Sequence, residues 1–254
     1  MPSQTLIWHV GDLVIASVIL ILLRRGLAQQ YRAWWFFLIF QLFRDIAVAT
    51  IPFDSLLYAR FYLASELAGD FVLVVALYEW FRLLTAHYLG IKLAGTWFLN
   101  FGLGASFLVC LATVGPDWRG IDWTAPVFYL VLLARHVIVG VLSVSIALAF
   151  LAFLAYRVRV RPNVIWHGLL LMCYLWLQSA LAIADATSHF STLHVTNTFR
   201  QIAVPVLYCG WAVLLTRHGE EVEIAARLTD AERVQLDRLN EELLTLARRT
   251  MRRI

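Results

Sequence analysis

The sequence predicts an all-α polytopic membrane protein: a bundle of seven transmembrane helices followed by a cytosolic amphipathic, coiled-coil helix. Three observations predict it. Hydrophobic residues make up 61% of the 254 positions and charged residues 15%, with a mean hydropathy of +0.73, whereas soluble chains carry nearer a quarter charged. The apolar residues come in continuous runs of the length, roughly 20, that crosses a hydrocarbon core about 30 Å thick. They do not alternate over segments of about 10, which excludes a transmembrane β-barrel. Charge collects between the runs and after the last of them.

Seven runs follow one another: Leu6–Leu23, Ala33–Ile51, Phe61–Leu84, Thr96–Val114, Ala125–Tyr156, Val164–Thr187 and Val195–Thr216. The fifth is long enough to tilt or to project beyond the bilayer. The first is not a secretory signal, because no positive charge precedes it and Arg24-Arg25 follow it directly. No internal repeat is visible, so an inverted-repeat transporter is not supported.

The loops set the orientation. Arg24, Arg25 and Arg32 follow the first run, Arg82 and Lys92 the third, and Arg157, Arg159 and Arg161 the fifth. Positive charge is retained in the cytoplasm, which places the N-terminus outside and the C-terminus inside a cell membrane. Trp8, Trp118 and Trp123 then fall at the outer interface, with Trp34, Trp35, Trp80, Trp97 and Trp166 at the inner one. A net charge of +4 reports this topology and anionic lipid headgroups, not nucleic acid.

Two regions result, a transmembrane domain over 1–216 and a cytosolic tail over 217–254. The tail holds eight Arg and eight acidic residues. Its Leu236, Leu239, Leu243 and Leu246, with Leu228 before them, fall at helical spacing, the last four in a 3,4,3 rhythm that reads as a short coiled-coil seam. Such a seam predicts a homo-oligomer or a partner protein. The alternative is a helix lying on its own cytoplasmic loops, with the terminal arginines on anionic lipid.

Ionisable groups inside spans cost roughly 2.5–3.5 kcal/mol each on insertion scales, so they face the bundle interior and mark function by default. Gln41, Arg44 and Asp45 share a face of the second run, and Tyr62, Glu66 and Asp70 stand at i+4 steps in the third. The fifth holds Arg135 and His136. His167, Tyr174, Gln178 and Asp185 form one stripe along the sixth, and Asn197, Arg200, Gln201 and Tyr208 another along the seventh. The first adds His9 and Asp12; Glu79 and Arg82 lie at the inner end and read as interfacial. On the predicted topology most of these converge on the outer half. The candidate site is Asp12, Arg44, Asp45, Tyr62, Glu66, Asp70, Arg135, His136, Gln178, Asp185, Arg200 and Gln201. Three functions compete for it: salt bridges that hold a structural scaffold in register, an outward-open pocket for a small polar or anionic ligand clamped by arginine, and a proton or ion path from Asp185 to His167.

Sharper chemistries find no support. The single lysine, Lys92, lies in a loop, which excludes a retinal Schiff base. No HExxH or HxxxH pair offers a metal site, and His136 and His167 lie at different depths, unsuited to one haem. No GxSxG or paired general base marks a serine nucleophile. Cys110, Cys173 and Cys209 lie in apolar runs as small hydrophobes. No cofactor is expected, and nothing demands an enzyme.

Seven spans, an external N-terminus and a last helix feeding a cytosolic coiled coil resemble the seven-helix sensor modules at the N-terminus of some bacterial histidine kinases. The resemblance covers architecture, with no diagnostic motif; the Tyr62–Arg82 segment, with Glu66 and Tyr78-Glu79, is similar to bacterial seven-span proteins. It implies an inner-membrane, homodimeric sensor or receptor-like protein that binds a ligand or proton in the outer half and relays it to the tail. No kinase or cyclase follows the seam, so the expected output is a partner chain recruited there. The rival expectation is a proton-coupled transporter or channel.

Overall fold

The computed structural model of the chain describes residues 2–52, 55–86, 126–156, 160–187, 193–221 and 230–251, with scattered positions between 90 and 108. Those residues are almost entirely helical, and no strand occurs among them. Eight α-helices are described, with a 3-10 turn at Leu27–Gln29: α1 (Pro2–Arg24), α2 (Arg32–Thr50), α3 (Leu56–Leu84), α4 (Pro126–Tyr156), α5 (Pro162–Thr187), α6 (Leu193–Leu214), the single turn α7 (His218–Glu221) and α8 (Asp230–Met251). The fourth apolar run, Thr96–Val114, lies largely outside the described residues, as do Trp118 and Trp123. Arg32–Thr50, Leu56–Leu84 and Pro162–Leu181 are long and apolar enough to cross a membrane, and Val137–Leu151 is a shorter apolar stretch.

Local chemistry sets the helix ends. Gly26 follows α1 at φ 74, a left-handed conformation that an L side chain resists, and its N–H returns to the Leu23 carbonyl at 3.0 Å. Pro52 pushes Ile51 into extended backbone and so ends α2. Ser55 caps α3, its hydroxyl accepting from the Tyr58 N–H at 3.1 Å. Pro162 opens α5, where its missing N–H costs nothing.

The start of α2 is capped from another helix. Tyr31, at its N-cap, makes no side-chain cap bond; Glu79 of α3 does so, accepting the Ala33 N–H at 2.9 Å, with the Arg32 and Trp34 N–H groups also directed at it. A carboxylate there satisfies orphan donors and complements the helix dipole. Glu79, expected to be interfacial, is therefore a structural cap. Glu79→Ala is expected to cost about 0.5–2 kcal/mol of stability, measured by reversible unfolding in mixed micelles, with Glu79→Gln retaining part of it.

The six long helices α1 to α6 close a ring in chain order: each packs on the next, α6 returns to α1, and α3 also touches α5. Gly168 permits that last approach, since a Cβ there would stand 2.3 Å from the Trp80 indole nitrogen, which donates to the Val164 carbonyl at 2.9 Å. Trp34 and Trp80, expected in an interfacial belt, are instead fully buried, whereas Trp97 and Trp166 are exposed. The core concentrates in one half of the ring. Trp34 stacks on Trp211 with centroids 4.2 Å apart and on Phe37 at 5.1 Å, and His167 receives the Trp211 indole N–H on Nδ1 at 2.8 Å.

The tail helix α8 touches Gly90, whose N–H donates to the Asn240 side-chain oxygen at 2.7 Å. Leu239 and Leu243 are half-buried and Leu246 is exposed. Leu228 and the Leu236 side chain lie outside the described residues.

Candidate functional site

A half-open cavity of about 160 Å³ occupies the half of the ring opposite the aromatic core, at the end that holds the N-terminal turns of α1. All six ring helices contribute to its wall. Asp12 comes from α1, Arg44 and Asp45 from α2, Tyr62 and Glu66 from α3, Arg135 from α4, Gln178 from α5, and Arg200 and Gln201 from α6. Nine of the twelve residues singled out in the sequence thus line one space. Asp70 is buried one turn further along α3 and is not part of the lining. The side chains of His136 and Asp185 lie outside the described residues. Gln41, Trp8, Tyr174 and Tyr208 line the cavity too; Gln41, Tyr174 and Tyr208 stand on the polar stripes read from the sequence, and Trp8 stands four residues before Asp12 on the same face of α1.

Glu66 is the centre of the charge network. Its Oε1 receives Arg44 Nη2 at 2.9 Å and its Oε2 receives Arg135 Nη1 at 2.5 Å, so one carboxylate ties α2, α3 and α4 together. The Glu66 side chain is 6% exposed. The Arg44 guanidinium also lies over the Tyr62 ring, 5.5 Å from its centroid. Two of the three lining arginines are thereby engaged by an internal acid. Arg200 donates to the Asn197 side chain at 3.3 Å.

The acids nearer the mouth are held more loosely. Asp45 stands 3.8 Å from Arg44 Nε and Asp12 stands 3.9 Å from His9 Nδ1, both beyond hydrogen-bond distance. Their side chains are 38% and 29% exposed. Pro205, inside α6, lacks the N–H that would bond the Gln201 carbonyl, so the helix runs on with one backbone hydrogen bond missing at cavity level. The Gln201 side-chain oxygen is buried with no hydrogen-bond partner among the described residues.

Tyr174 and Tyr208, stacked with centroids 6.2 Å apart, form the cavity floor. Beneath them Trp34, Phe37, His167 and Trp211 are all 0% exposed. His167, expected on a proton path, sits inside this packing, with the Tyr31 ring 4.8 Å away on its far side.

Beyond the plug, a second polar network gathers where α6 meets the tail. Glu220 of α7 accepts from the Tyr31 hydroxyl at 2.6 Å, from the Asn163 amide at 2.8 Å and from Arg161 at 3.3 Å. Burial, and next the Glu220 carboxylate, push the Tyr31 phenol above its usual range, so it remains a hydrogen-bond donor. Arg25 donates to the Ala212 carbonyl at 2.5 Å and to that of Leu215, capping the end of α6 with a cation. Arg217 returns the contact through the Arg24 and Arg25 carbonyls at 2.7 and 2.9 Å. Sequence reasoning took Arg25 and Arg161 as topological markers and counted Arg217 with the tail.

No protein-family model, curated protein or solved structure matches the chain.

Proposed function

We propose that the chain is a seven-span membrane receptor or sensor, N-terminus outside and C-terminus cytoplasmic, whose outer cavity admits a small polar ligand and whose last span relays occupancy to the cytosolic tail. The observation that supports it most is the placement of α6. One end of that helix supplies Arg200, Gln201 and Val204 to the cavity, and the other is tied through Arg25, Asn163 and Glu220 to the start of the tail. A ligand that prefers one position of α6 shifts the balance at the latch, and the shift is limited to its differential affinity for the two positions. The tail then offers its leucine seam to a second copy or to a partner chain, which serves as the output.

The aromatic plug favours a receptor over a proton-coupled channel. A channel needs a continuous hydrated route, whereas Tyr174 and Tyr208 at the inner end of this cavity pack against fully buried aromatic neighbours. A purely structural scaffold has no use for a half-open space at the one level where charges from five of the six helices meet.

The test is chemical access. With Cys110, Cys173 and Cys209 replaced by serine, Val204→Cys places one thiol in the cavity wall. A membrane-impermeant maleimide is expected to label it from the outside of sealed vesicles and not from the inside. Labelling from the inside overturns the receptor topology, and labelling from neither side overturns the pocket.

A further inference from the structure

The tail helix α8 is held by its own chain through a face that pairing with another helix would need. Among the described side chains from 234 to 246, those of Leu239, Asn240, Leu243 and Leu244 are half-buried and the others are exposed. Spacing of i, i+1, i+4 and i+5 puts these four on one side of the helix, and Asn240 among them accepts the Gly90 N–H at 2.7 Å. The outward side carries Asp237, Arg238, Glu241 and Glu242, with Arg238 and Glu242 paired at 3.1 Å, a solvated face. In the leucine seam, Leu239 and Leu243 are the central d and a positions, whose side chains must enter the holes of a facing helix. The helix cannot turn the same two leucines toward its own bundle and toward a partner.

Glycine at position 90 answers to this contact. Gly90 has helical backbone, and the glycine at positive φ among the described residues is Gly26, so conformation alone does not call for glycine here. What an added Cβ would meet is the tail: it would collide with the Asn240 carbonyl oxygen and lie 2.8 Å from the Asn240 side-chain oxygen. A carbonyl within a helix cannot step aside as a side-chain tip can, so a larger residue at 90 displaces α8 as a body.

We infer that the docked position is autoinhibitory: α8 pairs with a second copy of the chain through Leu239 and Leu243 when it lets go of Gly90, and the bundle holds it off until then. The occupant is a second copy because the tail's eight Arg and eight acidic residues cancel, so two tails meet without net repulsion, and because the seam supplies its own complement. This rests on the reading of the tail as the output and adds how that output is restrained; it needs neither the cavity nor a ligand.

The experiment uses the full chain in vesicles, with Cys110, Cys173 and Cys209 replaced by serine and Gln235→Cys added on the exposed flank of the seam. A membrane-permeant bismaleimide converts paired tails into covalent dimers. Gly90→Ala is expected to raise the rate of dimer formation about fivefold or more over the parent, and Asn240→Ala, which removes the acceptor without touching the bundle, about twofold or more. Leu243→Asp added to Gly90→Ala is expected to return the rate to that of the parent. A parent that cross-links as fast as Gly90→Ala overturns the restraint, as do unchanged rates in both single variants. A rise that survives Leu243→Asp reports chance collision and overturns pairing through the seam. Outside labelling of Val204→Cys, carried separately with Gly90→Ala, shows that the bundle is folded; where it is lost, Asn240→Ala decides. Failure of the cross-linking predictions with that labelling intact removes the restraint and leaves the receptor reading standing, whereas loss of outside labelling in the otherwise unaltered chain removes the receptor and leaves the tail to be decided by cross-linking.

Discussion

Replacing Glu66 by alanine is expected to destabilise the bundle by about 3–5 kcal/mol, the cost of leaving buried charge without its counter-ion. The carboxylate is shared by Arg44 and Arg135 at 2.9 and 2.5 Å, so one substitution strands two guanidiniums. Their side chains are 15% and 20% exposed, enough for some water to reach them, which sets the expectation at the lower end. Removal of the whole network is a different experiment. Arg44→Met, Glu66→Leu and Arg135→Met together delete the desolvation cost along with the attraction, and such replacements are often neutral or stabilising by about 1–4 kcal/mol. The expected order of stability is triple variant at or above wild type, then Glu66→Gln, then Glu66→Ala, read by reversible unfolding in mixed micelles. A Glu66→Ala loss below about 1 kcal/mol would place Glu66 outside the set of groups that hold α2, α3 and α4 together. If the triple variant is stable yet Val204→Cys is no longer labelled from outside, the ion pairs serve the cavity more than the fold.

The residues of this network were legible in the sequence because charge inside an apolar run is costly and helical spacing assigns each one a face. That reasoning gives depth and direction within one helix. It does not give the rotation of one helix against the next, so nothing in the spacing showed that Arg44 and Arg135 would meet on Glu66 while Asp12 and Asp45 stayed apart. Asp70 illustrates the limit. It continues the Tyr62 and Glu66 stripe by one more i+4 step, but a stripe at this spacing drifts around the helix, and Asp70 leaves the cavity wall for the buried side of α3. Aromatic residues misled for a related reason: tryptophan near a span end is equally consistent with an interfacial belt and with a core, and Trp34 and Trp80 belong to the core. The latch was hidden by its own composition. Arg25, Arg161 and Glu220 look like ordinary loop charges until the fold brings three separate loops to one place.

Trp211→Ala is the second substitution expected to have a large effect, and it separates stability from transport. The indole is fully buried, stacks on Trp34 with centroids 4.2 Å apart and donates to His167 at 2.8 Å. Truncation removes the stack, opens a void and leaves the histidine acceptor unpaired, a combination expected to cost about 3–5 kcal/mol. Trp211→Phe keeps most of the volume and loses the donor, for an expected cost of about 1–3 kcal/mol. The void would also join the cavity floor at Tyr208 to the Tyr31–His167 contact above the latch. If the plug is what makes this bundle a receptor, liposomes containing the wild-type protein and a pH-sensitive dye hold a proton gradient, those with Trp211→Phe hold it nearly as well, and those with Trp211→Ala leak. Dissipation by the wild-type protein at the rate of the alanine variant would mean that the stacked rings do not seal the interior, and the proton path through His167 would replace the receptor.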